Sequence, residues 1–181
     1  MSAILTDLPE AAADTIGALL PELRQCQAIA GRFNLERLKA EQVHAPAVLV
    51  SLIGLRQHEG WAGPRHGYLA DMAAFIVTTD RAGLPRDTAA AAMAAVIAAA
   101  VPDRDWGLAD CGEADDVQAQ PLVSAGSERA RASLWAVTWK QPLVMTPLPR
   151  QTPADLTLYV GESPEIGAAF EPDYDEIGGE A

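Results

Sequence analysis

The chain has 181 residues, 49% of them hydrophobic, which suggests one compact domain with a buried core. Its 13 Lys and Arg against 25 Asp and Glu leave a net charge of −12. That balance argues against a nucleic-acid binder that works through a broad basic face, although Arg129, Arg131 and Lys140 fall close enough together for a local patch.

The N-terminus, MSAILTDLPE, has no basic stretch and meets Asp7 and Glu10 early, so it does not read as a signal peptide. Asp7 and Pro9 make a helix start with Glu10 in the first turn. Leu8, Ala12, Ile16, Leu19, Leu20 and Leu23 fall at helical spacing, with Glu10, Asp14 and Thr15 opposite. That pattern predicts a helix lying on a core, ended or kinked by Pro21. Residues 25–33 lose the helical period and read as an edge strand with Gly31 as a bulge or turn. The same residues also allow one long helix from Glu22. Asn34 offers an N-cap for a short helix over 35–41.

Residues 46–55, PAVLVSLIGL, are the centre of the fold. Val48, Val50 and Leu52 alternate with Ala47, Leu49, Ile53 and Leu55, so both faces are apolar and the strand belongs inside a sheet. Pro46 stands where a strand begins without needing an N–H. Residues 56–67, RQHEGWAGPRHG, are dense in Gly, Pro and charge and read as a long loop, the kind of segment that carries function. Residues 68–80 return to strand character and close an antiparallel hairpin with 47–55.

A turn with Gly83 and Pro85 follows, and Asp87 or Thr88 caps the next helix. Met93, Val96, Ile97, Ala100 and Val101 form its apolar face, and Pro102 stops it. The run 89–101 is too short to span a bilayer. Its alanines allow close approach to a sheet or to a neighbouring subunit, simple packing being the commoner use. Residues 103–116 are acidic, with Trp106 as an anchor. Residues 117–125 and 130–145, joined by Gly126 and Ser127, read as a second hairpin. In its second arm Trp135, Val137 and Trp139 share one face, Leu134, Ala136 and Thr138 the other, and Lys140 and Gln141 mark an exit toward water. Pro147, Pro149 and Pro153 break regular structure before a last short strand at 156–160. The acidic segment 161–181 shows no period.

The expected architecture is α+β: an antiparallel sheet of about four to five strands, two main helices packed on one face, and an extended acidic C-terminal tail. Residues 1–150 form the single domain, and residues 151–181 are ordered by a partner or disordered.

Chemistry-bearing patterns are sparse. His58 and His66 approach Glu59 on one loop, but no HxH, HExxH or CxxC spacing occurs, so solvated loop histidines are the plainer reading. Ser51 lies in a strand and makes no G-x-S-x-G elbow, and phosphate-binding glycine motifs are lacking. The pairs Asp115/Asp116 and Asp173/Asp175 fit solvated loops better than acid–base chemistry. Cys26 and Cys111 stand far apart and fit a reducing compartment, so the expected protein is soluble and cytoplasmic. Trp135 and Trp139 suit base stacking or a core, and the acidic charge favours the core. Trp61, in a polar glycine-flanked loop, suits a partner surface as well as local packing. No catalytic, cofactor-binding or metal-ligating residue is assigned.

An N-terminal amphipathic helix, HAPAVLVSLIGL, a variable loop, YLADMAAFIVTTD, the helix DTAAAAMAAVIAAAV and the strand LWAVTWKQPLVM occur in that order. This series resembles the tail terminator family of long-tailed phages, including Mu-like prophage tail proteins and the lambda-type minor tail protein U. It covers about residues 8–143 and rests on hydrophobic pattern. The closing LYVGESPEIGAAFEPDYDEI is similar to the Mu-like C-terminus. The resemblance implies an α/β virion subunit with no enzyme activity, cofactor or metal. It closes into a homo-oligomeric, hexameric ring on the tail tube protein, ends tube polymerisation and offers a surface to the head–neck connector proteins. DNA would pass through the lumen without specific binding, no membrane would be involved, and the protein would move from host cytoplasm to the virion tail. Under this reading His58, Trp61, Arg65 and His66 meet the tube or a neighbour, and Ile166, Phe170 and Tyr174 lie on an adjacent chain. The alternatives are a head–tail connector or tail completion protein, and a small enzyme or ligand-binding domain.

Overall fold

The structure, a computed structural model, describes residues 3–31, 43–58, 65–80, 83–122, 132–146, 158–160, 167, 169 and 175–177. Its elements are α1 (Ile4–Leu19), β1 (Gln25–Ala28), β2 (Ala47–Gln57), β3 (His66–Thr79), α2 (Arg86–Ala100), β4 (Asp115–Pro121), β5 (Ala132–Met145), β6 (Leu158–Val160) and β7 (Asp175–Ile177). The first seven make an α+β unit within Met1–Pro147, and β6 and β7 fall in a second unit, Leu148–Ala181.

Strand order in the main sheet is β1-β2-β3-β5-β4. The two hairpins are antiparallel, with Ala47 opposite Val77 and Gln57 opposite Tyr68 in the first. The edge strand β1 instead runs parallel to β2, so the sheet is mixed. A parallel neighbour needs a crossover of about a dozen residues or more, and residues 29–46 supply that length. Two-sided apolarity puts β2 inside the sheet, where Ala47 to Ser51 are buried on both faces. Beyond Leu52 the cover thins, and Leu55, Arg56 and Gln57 are exposed.

One face carries both helices. Ile4, Leu8, Ala12 and Ile16 of α1 and Ala90, Ala94 and Ile97 of α2 close a core with Val48, Val50, Met72, Ile76, Val137 and Trp139. On the opposite face Ala47, Leu49, Phe75, Val77, Leu134 and Ala136 are buried, with Ile29, Val43 and Leu122 packed against them. Trp135, Val137 and Trp139 take the helix side, as the alternation predicts, so these tryptophans are core residues.

Several boundaries differ from expectation. α1 starts at Ile4, so Pro9 lies inside the helix and leaves the Leu5 carbonyl without its usual N–H partner. α2 starts at Arg86 behind Pro85, and Asp87 sits in the first turn without capping it. The buried stripe of α2 is also rotated: Ala89, Ala90, Ala94 and Ile97 face inward while Val96 is 43% exposed. Alanine brings a helix close to a sheet, so the smallest side chains take the interface. His66 belongs to β3, and β5 ends at Met145 as expected, but Gln141 within it is buried where an exit toward water was expected. In the second unit β6 pairs antiparallel with β7, a strand within the segment that carries no sequence period. The short helix expected over 35–41 and the turn at Gly126 and Ser127 lie outside the described residues.

Candidate functional site

At the far end of the β2–β3 hairpin the β2 side is exposed, while Gly67 and Ala70 of β3 stay buried and paired with β5. Backbone pairing of the two strands continues to His58, whose N–H donates to the Gly67 carbonyl at 2.9 Å. Arg56, His58, Arg65 and His66 are all exposed there. Arg56 was not singled out by sequence. Its signal is its place opposite Leu69, in the half of β2 where burial stops.

On the other flank, residues 101–114 link α2 to the edge strand β4 along the end of β5. The Gly112 N–H donates to the Pro142 carbonyl at 2.8 Å, the Val144 N–H donates to the Asp110 carbonyl at 2.9 Å, and Cys111 bridges Leu143. The fastening is Gln141, which is fully buried although sequence placed it at an exit to water. Its Oε1 accepts Trp106 Nε1–H at 2.7 Å and Trp139 Nε1–H at 3.0 Å. Its Nε2 donates to the Arg104 carbonyl at 3.0 Å and to the Gly112 carbonyl. The two indoles lie 5.8 Å apart at 43°. One amide thereby joins four polar groups, three of which have no other partner among the described residues, while the Arg104 carbonyl also accepts the Ala114 N–H at 2.9 Å. The missed signal was period: Gln141 falls in step with Val137 and Trp139, so it had to face the core.

Asp71 and Lys140 are cross-strand partners and form an ion pair, each about one-third exposed. They line a cleft of about 240 Å³ with Ile53, Asp116, Gln118 and Thr138. Gly54 opposite Asp71 leaves room for the carboxylate, since a Cβ there would stand 3.0 Å from Asp71 Oδ2. Lys140 is thus tied into the sheet; Arg129 and Arg131, its expected companions, lie outside the described residues.

A second groove, about 270 Å³, runs between the end of α1 and the outer side of α2, lined by Leu19, Leu20, Leu84, Met93 and Val96 among others. Leu19, Leu84 and Val96 are each more than two-fifths exposed, which makes this a half-open apolar surface. Both thiols are half-buried. Desolvation, with Asp14 nearby, pushes Cys26 up to about 11, and desolvation pushes Cys111 up to about 12 against the pull of its hydrogen bond with Gln141. Such thiols are poor nucleophiles near neutral pH.

Of the residues expected at an interface, His58, Arg65 and His66 come together at the hairpin end, while Trp61, Ile166, Phe170 and Tyr174 lie outside the described residues. Among the described residues no group of three His, Cys, Asp or Glu gathers as a metal cluster, and no helix is long and apolar enough to cross a membrane. Comparison with models of known protein families and with curated proteins found no match.

Proposed function

We propose that this chain is a structural subunit of a long phage or prophage tail, a terminator that forms a ring on the last ring of the tube. The ring ends tube growth and gives the head–neck proteins a surface to join. The observation that carries this reading is the end of β2, where Leu55, Arg56 and Gln57 are exposed beyond a base buried on both sheet faces. A rigid base with an uncovered end suits docking onto another chain, because little conformational freedom is lost when the end is engaged. The elements α1, β2, β3, α2 and β5 fall on the segments quoted above for the terminator family, and β1 and β4 are additional to that series.

The mechanism is geometric. A contact between unlike surfaces of successive copies closes into a ring when its rotation fits, and closure itself limits the number of subunits. The test uses the purified chain and a purified tail tube protein that polymerises in solution. Light scattering and negative-stain images should show rings, and adding the chain to growing tubes should shorten them. A chain truncated before residue 161 should keep its fold and assemble less. A protein that stays monomeric with tubes present and leaves their length unchanged would overturn the reading.

A further inference from the structure

Residues 105–113 form a loop whose two ends are tied to each other. The Asp103 N–H donates to the Ala114 carbonyl at 3.1 Å, and the Ala114 N–H donates back to the Arg104 carbonyl at 2.9 Å. Ala114 is buried, whereas no residue from 105 to 113 is. Among the described residues, the bonds that hold this loop to the rest of the fold all reach one short stretch of β5. Gln141 binds the Trp106 indole N–H and the Gly112 carbonyl. The Gly112 N–H donates to the Pro142 carbonyl, and the Val144 N–H donates to the Asp110 carbonyl. A compact loop with joined ends and few buried contacts belongs to the least stable parts of a fold, those that open locally.

Backbone conformation works against the closed position. Trp106 has φ 56° and Gly107 has φ 73°, both in the left-handed region. Glycine goes there freely, but a residue carrying an indole stays only where its surroundings hold it. What holds Trp106 is the bond from its N–H to Gln141 at 2.7 Å and the ring of Trp139, 5.8 Å away. At the other end, Gly112 lets the loop lie flat on β5. A Cβ there would stand 3.1 Å from Pro142 Cβ and 3.4 Å from Pro142 Cγ, atoms of a ring that cannot turn aside. The φ of Gly112 lies outside the left-handed region, so the close contact and not the backbone angle is what requires a glycine.

We propose that residues 105–113 are a strap that opens as one unit, hinged where 103 and 104 meet Ala114 and latched on the end of β5 by Trp106 and Gly112. The two latches are coupled because they share Gln141: releasing Trp106 frees the side chain that also holds the Gly112 carbonyl. Closed, the strap lays Trp106 on Trp139 and bridges Cys111 to Leu143. Open, it uncovers Trp139 and Leu143 and leaves the Val144 N–H without its partner. Val144 stands opposite Gly67, whose carbonyl accepts the His58 N–H, so the strap lies at the same end of the sheet as the exposed end of β2. The state of the strap therefore sets how much apolar surface is offered at that end. The device stands on the strap's own contacts, so it holds or fails independently of the ring-forming reading.

The test reads two amides and one thiol in the whole natural chain. Hydrogen exchange followed by NMR gives opening constants for the Gly112 and Val144 N–H groups, which bond across the contact from opposite sides. Thiol labelling over a sub-denaturing urea series, mapped by peptide mass and referred to the unfolded chain, reads Cys111 apart from Cys26. The three constants should agree within about fivefold and exceed that of the Ala74 N–H in the sheet centre by about a hundredfold or more. They should hardly depend on urea, because a lifting strap exposes little surface. Gly112→Ala should raise Cys111 labelling and Val144 exchange by about tenfold or more while moving Ala74 much less. Trp106→Phe, which keeps a ring and drops the N–H, should act in the same direction and serves where Gly112→Ala does not fold. Labelling and exchange that follow the urea dependence of global unfolding would overturn the strap. So would Gly112 and Val144 constants further apart than that margin, which would mean residues fraying one by one, or a folded Gly112→Ala chain with unchanged constants.

Discussion

Gln141 holds two indole N–H groups on one oxygen and two backbone carbonyls on one nitrogen, at a position without solvent access. Replacing it with Leu keeps the volume but strands the two indole N–H groups and the Gly112 carbonyl, while the Arg104 carbonyl keeps the Ala114 N–H. Each stranded group costs about 1–3 kcal/mol when buried, and partly exposed Trp106 recovers some of that from water, so a loss of about 3 kcal/mol is expected. Urea unfolding should show it as a lower midpoint at unchanged slope. A loss below about 1 kcal/mol would mean that the loop is held by its backbone bonds alone. The thiols give a second residue-scale expectation. At pH 8, values of about 11 for Cys26 and about 12 for Cys111 leave few thiolates. Labelling with a disulfide reagent should run about a hundredfold or more slower than in urea. Because the folded values are raised above the ordinary 9.0, unfolded thiols ionise first. Their contribution to stability is complete below pH 9 and is lost as pH rises through 11 and 12. A midpoint that stays flat over that alkaline window relative to a double Cys→Ala variant would contradict the burial that raises them.

The two helices bury different chemistry, and α2 allows a sharper test. Ala90 and Ala94 have no room beside them, since both are fully buried between helix and sheet. Ala94→Leu should cost about 1–3 kcal/mol by overpacking, whereas Ala95→Glu or Ala99→Glu on the exposed side should change stability by about 0.5 kcal/mol or less. Equal effects at buried and exposed alanines, measured by thermal unfolding, would show the helix to be placed otherwise. The same helix explains a limit of sequence reading. Its run of alanines has almost no contrast between faces, so Val96 and Met93 were expected on the core side only because they are larger. Strands β2, β3 and β5 are long apolar runs, and the β2–β3 pairing was legible in them, as was the face taken by Trp135, Val137 and Trp139 of β5. The direction of β1 was not, because it depends on a crossover and not on any residue of Gln25–Ala28. Gln141 was misread for a related reason: polarity suggested water, although position in the alternation fixed it inward. At the candidate site, local composition marked Arg65, His58 and His66, but Arg56 became informative only once the strand's burial was known to end beside it.

At the scale of the molecule, net charge decides how this chain would treat a duplex passing through a channel of the proposed kind. Thirteen basic residues against 25 acidic ones give DNA little to bind. Each phosphate contact contributes affinity mainly by releasing counterions, so a chain that makes none has no salt slope. The isolated chain should therefore show no measurable binding to duplex DNA at about 0.15 M salt, and lowering the salt should not create it, because repulsion grows as screening falls. Fluorescence anisotropy of a labelled duplex is the measurement, and the natural chain and the Arg56→Glu/Arg65→Glu variant should give the same flat trace. Binding that falls steeply with salt and vanishes in that variant would place the hairpin end against DNA. In that case the lumen picture would have to be redrawn around a nucleic-acid surface.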